Sequence, residues 1–268
     1  MGRKVSDRQN KILNIIKEKR KAEFRELAQL FEVHEMTIRR DCEFLERQGF
    51  ILRTPKGIHA IPRDTMKTIG ENELKENEEG RRSIARYVVK ELIKNNDSVF
   101  LGPGIISLFI LEEIESKKWN KHIEQLSIYT NSYEHLGYAF SHYNPIFRIF
   151  SSGGELNPIS NCFYGNIALE RMNSWAIDKI FVEANAISLE FDQSLINNTF
   201  EVSIVPAFLA EKSNIYLLAD HLSFNKLAVF PLIQLTKVQA IITDSIESEI
   251  RNEIDGLGVQ VFEASFSI

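Results

Sequence analysis

Cysteine is scarce in this chain of 268 residues. There are two, Cys42 and Cys162, and neither stands in a C-x-x-C pair. That excludes a disulfide framework or a thiolate metal cluster as the organiser of the fold, and leaves two reduced thiols in a cytoplasmic protein as the expectation. Long apolar runs are missing as well. No stretch approaches the roughly 18 consecutive apolar residues of a membrane helix, and the opening MGRKVSDRQN lacks the apolar centre of a secretion leader. His122, His135, His142 and His221 fall at no metal-ligand spacing and read as ordinary residues, so neither a metal nor another cofactor is expected. Repeats and low-complexity tracts are absent. What is present is 44% apolar residues, ordinary for a globular protein, on a chain that suits one small and one medium domain.

The net charge of −5 hides an asymmetry. Residues 1–63 hold 15 Lys and Arg against 9 Asp and Glu, a net of +6, and the rest of the chain carries −11. A basic head on an acidic body supports a nucleic-acid-binding head, with the body's charge keeping it off DNA. A polyphosphate partner needs only a local basic surface, so the acidic total is no objection. Between the two, P-R-D-T-M-K-T-I-G-E-N-E-L-K-E-N-E-E-G at 62–80 is polar and charged and reads as a linker. The expected boundaries are a head at 1–62, the linker at 63–80 and the body at 81–268.

The head carries the sharpest signal, V-H-E-M-T-I-R-R-D-C-E-F-L-E-R-Q-G at 33–49. At 100° per residue, Ile38, Cys42 and Leu45 share one face with Asp41 at its edge. Met36, Arg40 and Arg47 point the opposite way, and Arg39 and Thr37 flank them. Cationic, fork-shaped donors on the outer face of a short helix suit base edges and phosphates in a DNA major groove. Phe24, Leu27, Ala28 and Phe31 mark a helix just before it, and Glu32-Val33-His34 is a turn tight enough for a helix-turn-helix. Ile12, Leu13, Ile15 and Ile16 mark a first helix, capped by Ser6 or Asp7. Gly49 ends the recognition helix. Phe50–Thr54 and Ile58–Ile61 then read as two strands around Pro55-Lys56-Gly57, making a winged helix with Arg53 and Lys56 placed for the phosphate backbone.

From Asn96 onward, short apolar strands alternate with helices. The strands are expected at 98–101, 126–129, 147–150, 179–182, 215–218, 240–243 and 259–262, with a helix at 105–116. This is the pattern of a doubly wound α/β domain with a largely parallel sheet. Small and polar residues gather past the carboxyl ends of the strands, where open α/β sheets bind ligands. The candidate pocket residues are Gly102, Gly104, Ser107, Asn131, Ser132, Gly153, Gly154, Asn185 and Asp220.

Residues 6–62 resemble the N-terminal domain of the DeoR family of bacterial transcriptional repressors. The likeness rests on T-I-R-R-D-x-x-x-L-E-x-x-G at 37–49, followed by Leu52-Arg53. It departs where the family usually has serine before the recognition helix, here His34, and in the wing, where H-G-G-A is replaced by Pro55-Lys56-Gly57-Ile58. The resemblance implies an operator DNA partner read by His34, Met36, Thr37, Arg39, Arg40 and Arg47, with Arg53 and Lys56 on the wing. The body resembles the DeoR sensor domain, through Thr130-Asn131-Ser132, Gly153-Gly154, Gly165, Asp178-Lys179-Ile180-Phe181 and Leu218-Ala219-Asp220. That domain shares its fold with ribose-5-phosphate isomerase and coenzyme A transferases. A first loop reading G-P-G and a fourth strand ending in Asn185-Ala186 look most like the lactose phosphotransferase system repressor subgroup, which implies a phosphosugar effector such as tagatose 6-phosphate.

Several phosphate-holding groups of the family are replaced here. Ile105 and Ile106 stand where threonines are common, leaving Ser107 as the nearby hydroxyl. Ser223 and Val205 stand where lysines are common, the latter four residues after Glu201. Backbone amides at the helix start near Gly104 could still receive an anion, and Lys226 or Lys179 could replace the lysines. Two other readings are a DNA-binding regulator with a vestigial sensor and a sugar-phosphate isomerase-like enzyme. The missing hydroxyls and lysines argue against the enzyme, which needs a placed base and a held phosphate.

A single winged helix buries too little surface for tight, selective DNA binding, so a homo-oligomer, dimer or tetramer, is expected. Sedimentation of the full chain at micromolar concentration should give at least a dimer. Residues 1–63 alone should bind operator DNA weakly. A monomeric full chain with undiminished affinity would contradict the expectation.

Overall fold

A computed structural model of the protein describes residues 7–19, 21–47, 51–54, 56–60, 77–116, 125–142, 145–158, 160–197, 205, 208–209, 212, 214–228 and 230–264. The chain divides into two compact units, Met1–Gly70 and Glu71–Ile268. The expected linker lies outside the described residues up to position 76. Its last residues belong to a helix, Glu78–Tyr87, because the side-chain amide of Asn77 donates to Asp244 at 2.9 Å and starts the helix against the sheet domain.

In the first unit, helices α1 (Asp7–Lys19), α2 (Phe24–Leu30) and α3 (Glu35–Arg47) enclose a small core. Ile12, Ile16, Phe24, Leu27, Ile38, Cys42 and Leu45 are all buried in it. The helical spacing of these residues is what forces the three helices together. Asp41 of α3 accepts from Arg8 at 2.5 Å and from Gln9 at 2.9 Å, which pins α1 to α3. A capping box starts α2, with the Glu26 carboxylate accepting from the Glu23 amide at 3.2 Å. Strands β2 (Ile51–Arg53) and β3 (Gly57–Ala60) form the wing hairpin. A third strand, β1 (Lys21–Glu23), was not foreseen. It pairs antiparallel with β3, Ala22 opposite Ile58, and three residues are too few to show a period of two.

The second unit is built on a seven-stranded sheet, parallel throughout. Its strands are β4 (Ser98–Leu101), β5 (Leu126–Thr130), β6 (Phe147–Ser151), β9 (Lys179–Glu183), β12 (Ile215–Leu218), β14 (Ala240–Thr243) and β15 (Gln260–Glu263), in the spatial order β15-β14-β12-β9-β4-β5-β6. These are the seven strands expected from the sequence, with one-residue shifts at some ends. Apolar cores lie on both faces. Val99, Leu101, Ile110 and Ile128 belong to one, and Phe100, Ile180, Val182 and Leu217 to the other. Burial on both sides explains why the strands read as continuous apolar runs rather than alternating ones. Two smaller features were not anticipated. One is a hairpin of β7 (Glu155–Asn157) and β8 (Cys162–Tyr164). The other is an antiparallel sheet of β10 (Ala186–Ser188), β11 (Gln193–Ile196) and β13 (Phe230–Gln234).

The strand order fixes where a ligand can enter. The chain runs from β4 outward through β5 to β6, then returns to lay β9 on the other side of β4. The next strand of the sheet after β4 lies to one side and the next after β9 to the other, and the carboxyl ends of these two strands are where such a sheet leaves a crevice. This is the topological switch point of an open α/β sheet. No helix among the described residues is long and apolar enough to cross a membrane.

Both cysteines are buried. Burial, reinforced by the Asp41 charge, pushes the Cys42 thiol up to about 12, so at neutral pH almost none of it is the reactive thiolate. Ellman's reagent should find neither thiol quickly in the native protein and both once guanidinium unfolds it. Fast labelling of native Cys42 would contradict the packing of α3, and of native Cys162 that of the β7–β8 hairpin.

Candidate functional site: the recognition helix and the strand-end crevice

On the outer face of α3, Met36 is 53% exposed and Arg40 is exposed, while Thr37 is half-buried beside them. His34 stands just before the helix, where its Nδ1 accepts from the Met36 amide at 3.2 Å and its carbonyl accepts from the Thr37 amide at 2.8 Å. His34 thus serves the start of the helix as a cap. Arg39 is less available. Its guanidinium lies 4.3 Å over the Phe24 ring and pairs with Glu35 at 2.7 Å. Arg53 faces Glu46 of α3 at 3.5 Å, with its amide donating to the same carboxylate at 3.0 Å. It is half-buried and braces the wing against the helix, so its expected phosphate contact would compete with that tie. Lys56 is exposed at the turn of the wing. The side chain of Arg47 lies outside the described residues.

The expected pocket residues of the body do lie past the carboxyl ends of successive strands, but most are engaged within the fold. Gly102 donates to the Phe181 carbonyl at 2.9 Å and extends the β4–β9 pairing. Ser132 caps helix α6 (Tyr133–Ser141; α4 is Glu78–Tyr87 and α5 is Ile105–Glu115), accepting from the His135 amide at 3.3 Å. The amide of Gly153 donates to the Ser151 hydroxyl at 3.0 Å, and Gly154 packs against Tyr164 and Ala168. Asn185 is exposed and accepts from the Asn197 amide at 3.0 Å. Asp220 is buried and is held by Arg81 of α4 at 2.7 Å and by the Ser223 hydroxyl at 3.0 Å. Ser223, standing where the family commonly has lysine, thus serves an internal carboxylate. Lys179 cannot replace that lysine. It begins β9, at the amino end of the sheet, and pairs with Asp97 at 2.7 Å. Glu201 lies outside the described residues.

Sequence reasoning missed the residue at the centre of the crevice. Glu183, the last residue of β9, turns its carboxylate onto the first turn of α5, where the Ser107 amide donates to it at 2.7 Å. Gly104 precedes that helix with φ +147°, and a side chain there would collide with the Glu183 carboxyl group. Burial pushes Glu183 up to about 7, against the opposing pull of the Ser107 and Ile106 amides and the Arg81 charge. The signal was a lone carboxylate closing the apolar run Lys179-Ile-Phe-Val-Glu183 in a strand buried on both faces. Nearby, His135 is fully buried and lowered by burial to about 4, so it is neutral at pH 7. Its Nδ1 lies 3.1 Å from the Thr130 hydroxyl, and the Gly104 backbone opposes part of the lowering. The Asn131 side-chain oxygen is likewise buried and has no partner, and the Ser107 hydroxyl is buried against the Glu183 carboxylate. A buried acceptor left open at this end of the sheet suits a small, hydroxylated ligand, since buried polar groups are otherwise satisfied. No group of three or more His, Cys, Asp or Glu among the described residues could hold a metal ion.

Known proteins resemble the chain along nearly its whole length. The profile of the DeoR C-terminal sensor domain matches residues 76–245, and that of the DeoR-like helix-turn-helix domain matches residues 8–63. A lactose phosphotransferase system repressor of Staphylococcus aureus (strain N315) is 26% identical over 249 residues, 91% of this chain and 93% of its own. The transcriptional repressor AccR of Agrobacterium fabrum is 25% identical over 243 residues, 90% of each chain. Among solved structures, ribose 5-phosphate isomerase A from Methanocaldococcus jannaschii overlays with a TM-score of 0.38 at 14% identity, over 56% of this chain and 55% of its own. An overlap of that extent carries no argument about chemistry.

The two titrating groups of the crevice act on stability with opposite signs. Glu183 keeps its proton up to about 7 in the folded state, whereas the unfolded carboxyl loses it near 4.5, so stability falls as pH rises through that window. His135 loses its proton near 4 when folded and near 6.5 when unfolded, so stability falls as pH drops from 6.5 to 4. Urea unfolding of the wild type and of Glu183→Gln should therefore diverge with pH. The wild type should lose ground to the variant between about pH 4.5 and 7 and hold a constant difference above. A difference independent of pH would show that Glu183 is not protonated in the fold.

Proposed function

The chain belongs to the DeoR family, and from that premise we propose that it is a DNA-binding transcriptional repressor of a carbohydrate-metabolism operon, released by a small sugar-derived effector bound in the body. The observation that carries the DNA half is the outer face of α3, where Met36, Arg40 and the edge of Thr37 stand clear of a buried Ile38–Cys42–Leu45 stripe. A short helix anchored on one side and cationic on the other is the geometry for reading a major groove. The basic head supplies the phosphate attraction, and the acidic body adds none.

For the effector, the support is the switch point between β4 and β9 and the buried polar side chains of Ser107, Asn131 and His135 near it, of which Asn131 has an unpartnered oxygen. The relatives named for the lactose phosphotransferase system favour a sugar-derived ligand. Release requires that this ligand bind the DNA-incompetent arrangement more tightly, since only differential affinity shifts an equilibrium. A coupling of about 1–3 kcal/mol would weaken operator binding roughly 5- to 150-fold.

Fluorescence anisotropy with the DNA bordering its own gene tests the reading. Arg40→Ala should reduce the preference for operator over random DNA by about 1–3 kcal/mol, the value of one good base contact, and Lys56→Ala should weaken all sequences alike. An unchanged operator preference in Arg40→Ala would remove the base-reading role. Asn131→Ala should leave a protein that binds DNA but no longer responds to effector. Asp220 is unsuitable for that purpose, since its removal would strand buried Arg81.

A further inference from the structure

We propose that Glu183 occupies the anion seat of the sensor crevice from within, so that the effector of this chain is a sugar or polyol carrying no phosphate at that end. The inference deepens the sensor reading above and rests on it.

The seat is defined by position and by donors. It lies at the switch point between β4 and β9, where the α5 amides face the crevice. An anion from solution would bind there to the free amides of the first helical turn. In this chain a carboxylate from the neighbouring strand already accepts from the Ser107 amide at 2.7 Å, and Gly104 leaves it the space a side chain would fill. The carboxylate is tethered at the end of a central strand, so it competes as an intramolecular ligand at high effective concentration. An incoming phosphate would have to expel it and then sit beside it, like charge against like. The adjacent cation relieves this only in part, because Arg81 is paired with Asp220 at 2.7 Å and already acts on Glu183.

The polar atoms left over have a different character. The Ser107 hydroxyl is fully buried beside the Glu183 carboxylate, whose charged form it favours. His135 is fully buried and uncharged, close to the Gly104 backbone, and Asn131 offers an unpartnered carbonyl oxygen. A hydroxyl, a neutral imidazole and an amide oxygen match alcohol groups, which both donate and accept. None of them carries the charge that would select a phosphate.

The test is thermal unfolding of the full chain at pH 8, where Glu183 is ionised, at matched ionic strength. The probes are inorganic phosphate, then galactose and tagatose beside their 6-phosphates. The proteins are the wild type and Glu183→Ala, with Glu183→Ser in its place should the alanine variant not fold. Both substitutions vacate the seat. The wild type should show no saturable rise in melting temperature with phosphate or a sugar phosphate, whereas the variant should, with a half-saturating concentration lower by about tenfold or more. A wild type stabilised by a sugar phosphate but not by the free sugar overturns the proposal. So does a folded variant that phosphate leaves unmoved, because the helix start is then no anion seat. Operator binding measured on the same proteins reports separately. Its loss in the wild type would count against the repressor reading and leave the result at Glu183 standing.

Discussion

A parallel sheet covered on both faces leaves its polar chemistry one kind of place to stand, beyond the ends of the strands. Everything distinctive about the body follows from that constraint. Val99, Phe100, Leu101, Ile180, Phe181 and Val182 fill both faces of the two central strands with apolar side chains. Glu183, at the carboxyl end of β9, is free of the requirement, and it meets the helix that begins past β4 because those two strands are neighbours. The same constraint explains Arg81 and Asp220. A charge brought into this region needs an opposite charge at contact distance, and removing one partner of such a buried pair costs about 3–5 kcal/mol.

Legibility in the sequence tracked the length and regularity of each signal. The seven strands of the central sheet and the three helices of the head were visible because their apolar residues recur at a fixed period or in unbroken runs. The wheel drawn for 33–49 separated buried Ile38, Cys42 and Leu45 from exposed Met36 and Arg40, as the structure does. β1, the β7–β8 hairpin and the strands of the small antiparallel sheet, at three to five residues each, carry no comparable pattern. The site was legible as a place and not as a set of contacts. Strand ends can be located along the chain, but which side chains satisfy one another there depends on spatial neighbours far apart in sequence. Ser107 and Glu183 are 76 residues apart, and Arg81 and Asp220 are 139. His135, read as ordinary, became notable only once its complete burial was seen.

The head has its own version of the same lesson. The charge of a side chain could be counted, whereas its availability could not. Arg39 lies over Phe24 and pairs with Glu35, and Arg53 faces Glu46. Two of the cations that make the region basic are thus partly committed to neighbours that hold the helix and wing in place. His34 shows the converse, a residue at odds with the family pattern that nonetheless satisfies the local requirement for a cap.

Those internal pairs bear on how the protein searches a chromosome. Grip on random DNA comes from neutralised phosphates, and it is this grip that governs sliding and hopping along the duplex. With Arg8, Arg39 and Arg53 paired to carboxylates of the head itself, the proposed DNA-binding face would grip arbitrary sequence less than its count of cations suggests. On that reading its contacts with random DNA would be brief, and discrimination would rest on base contacts from the proposed reading face of α3.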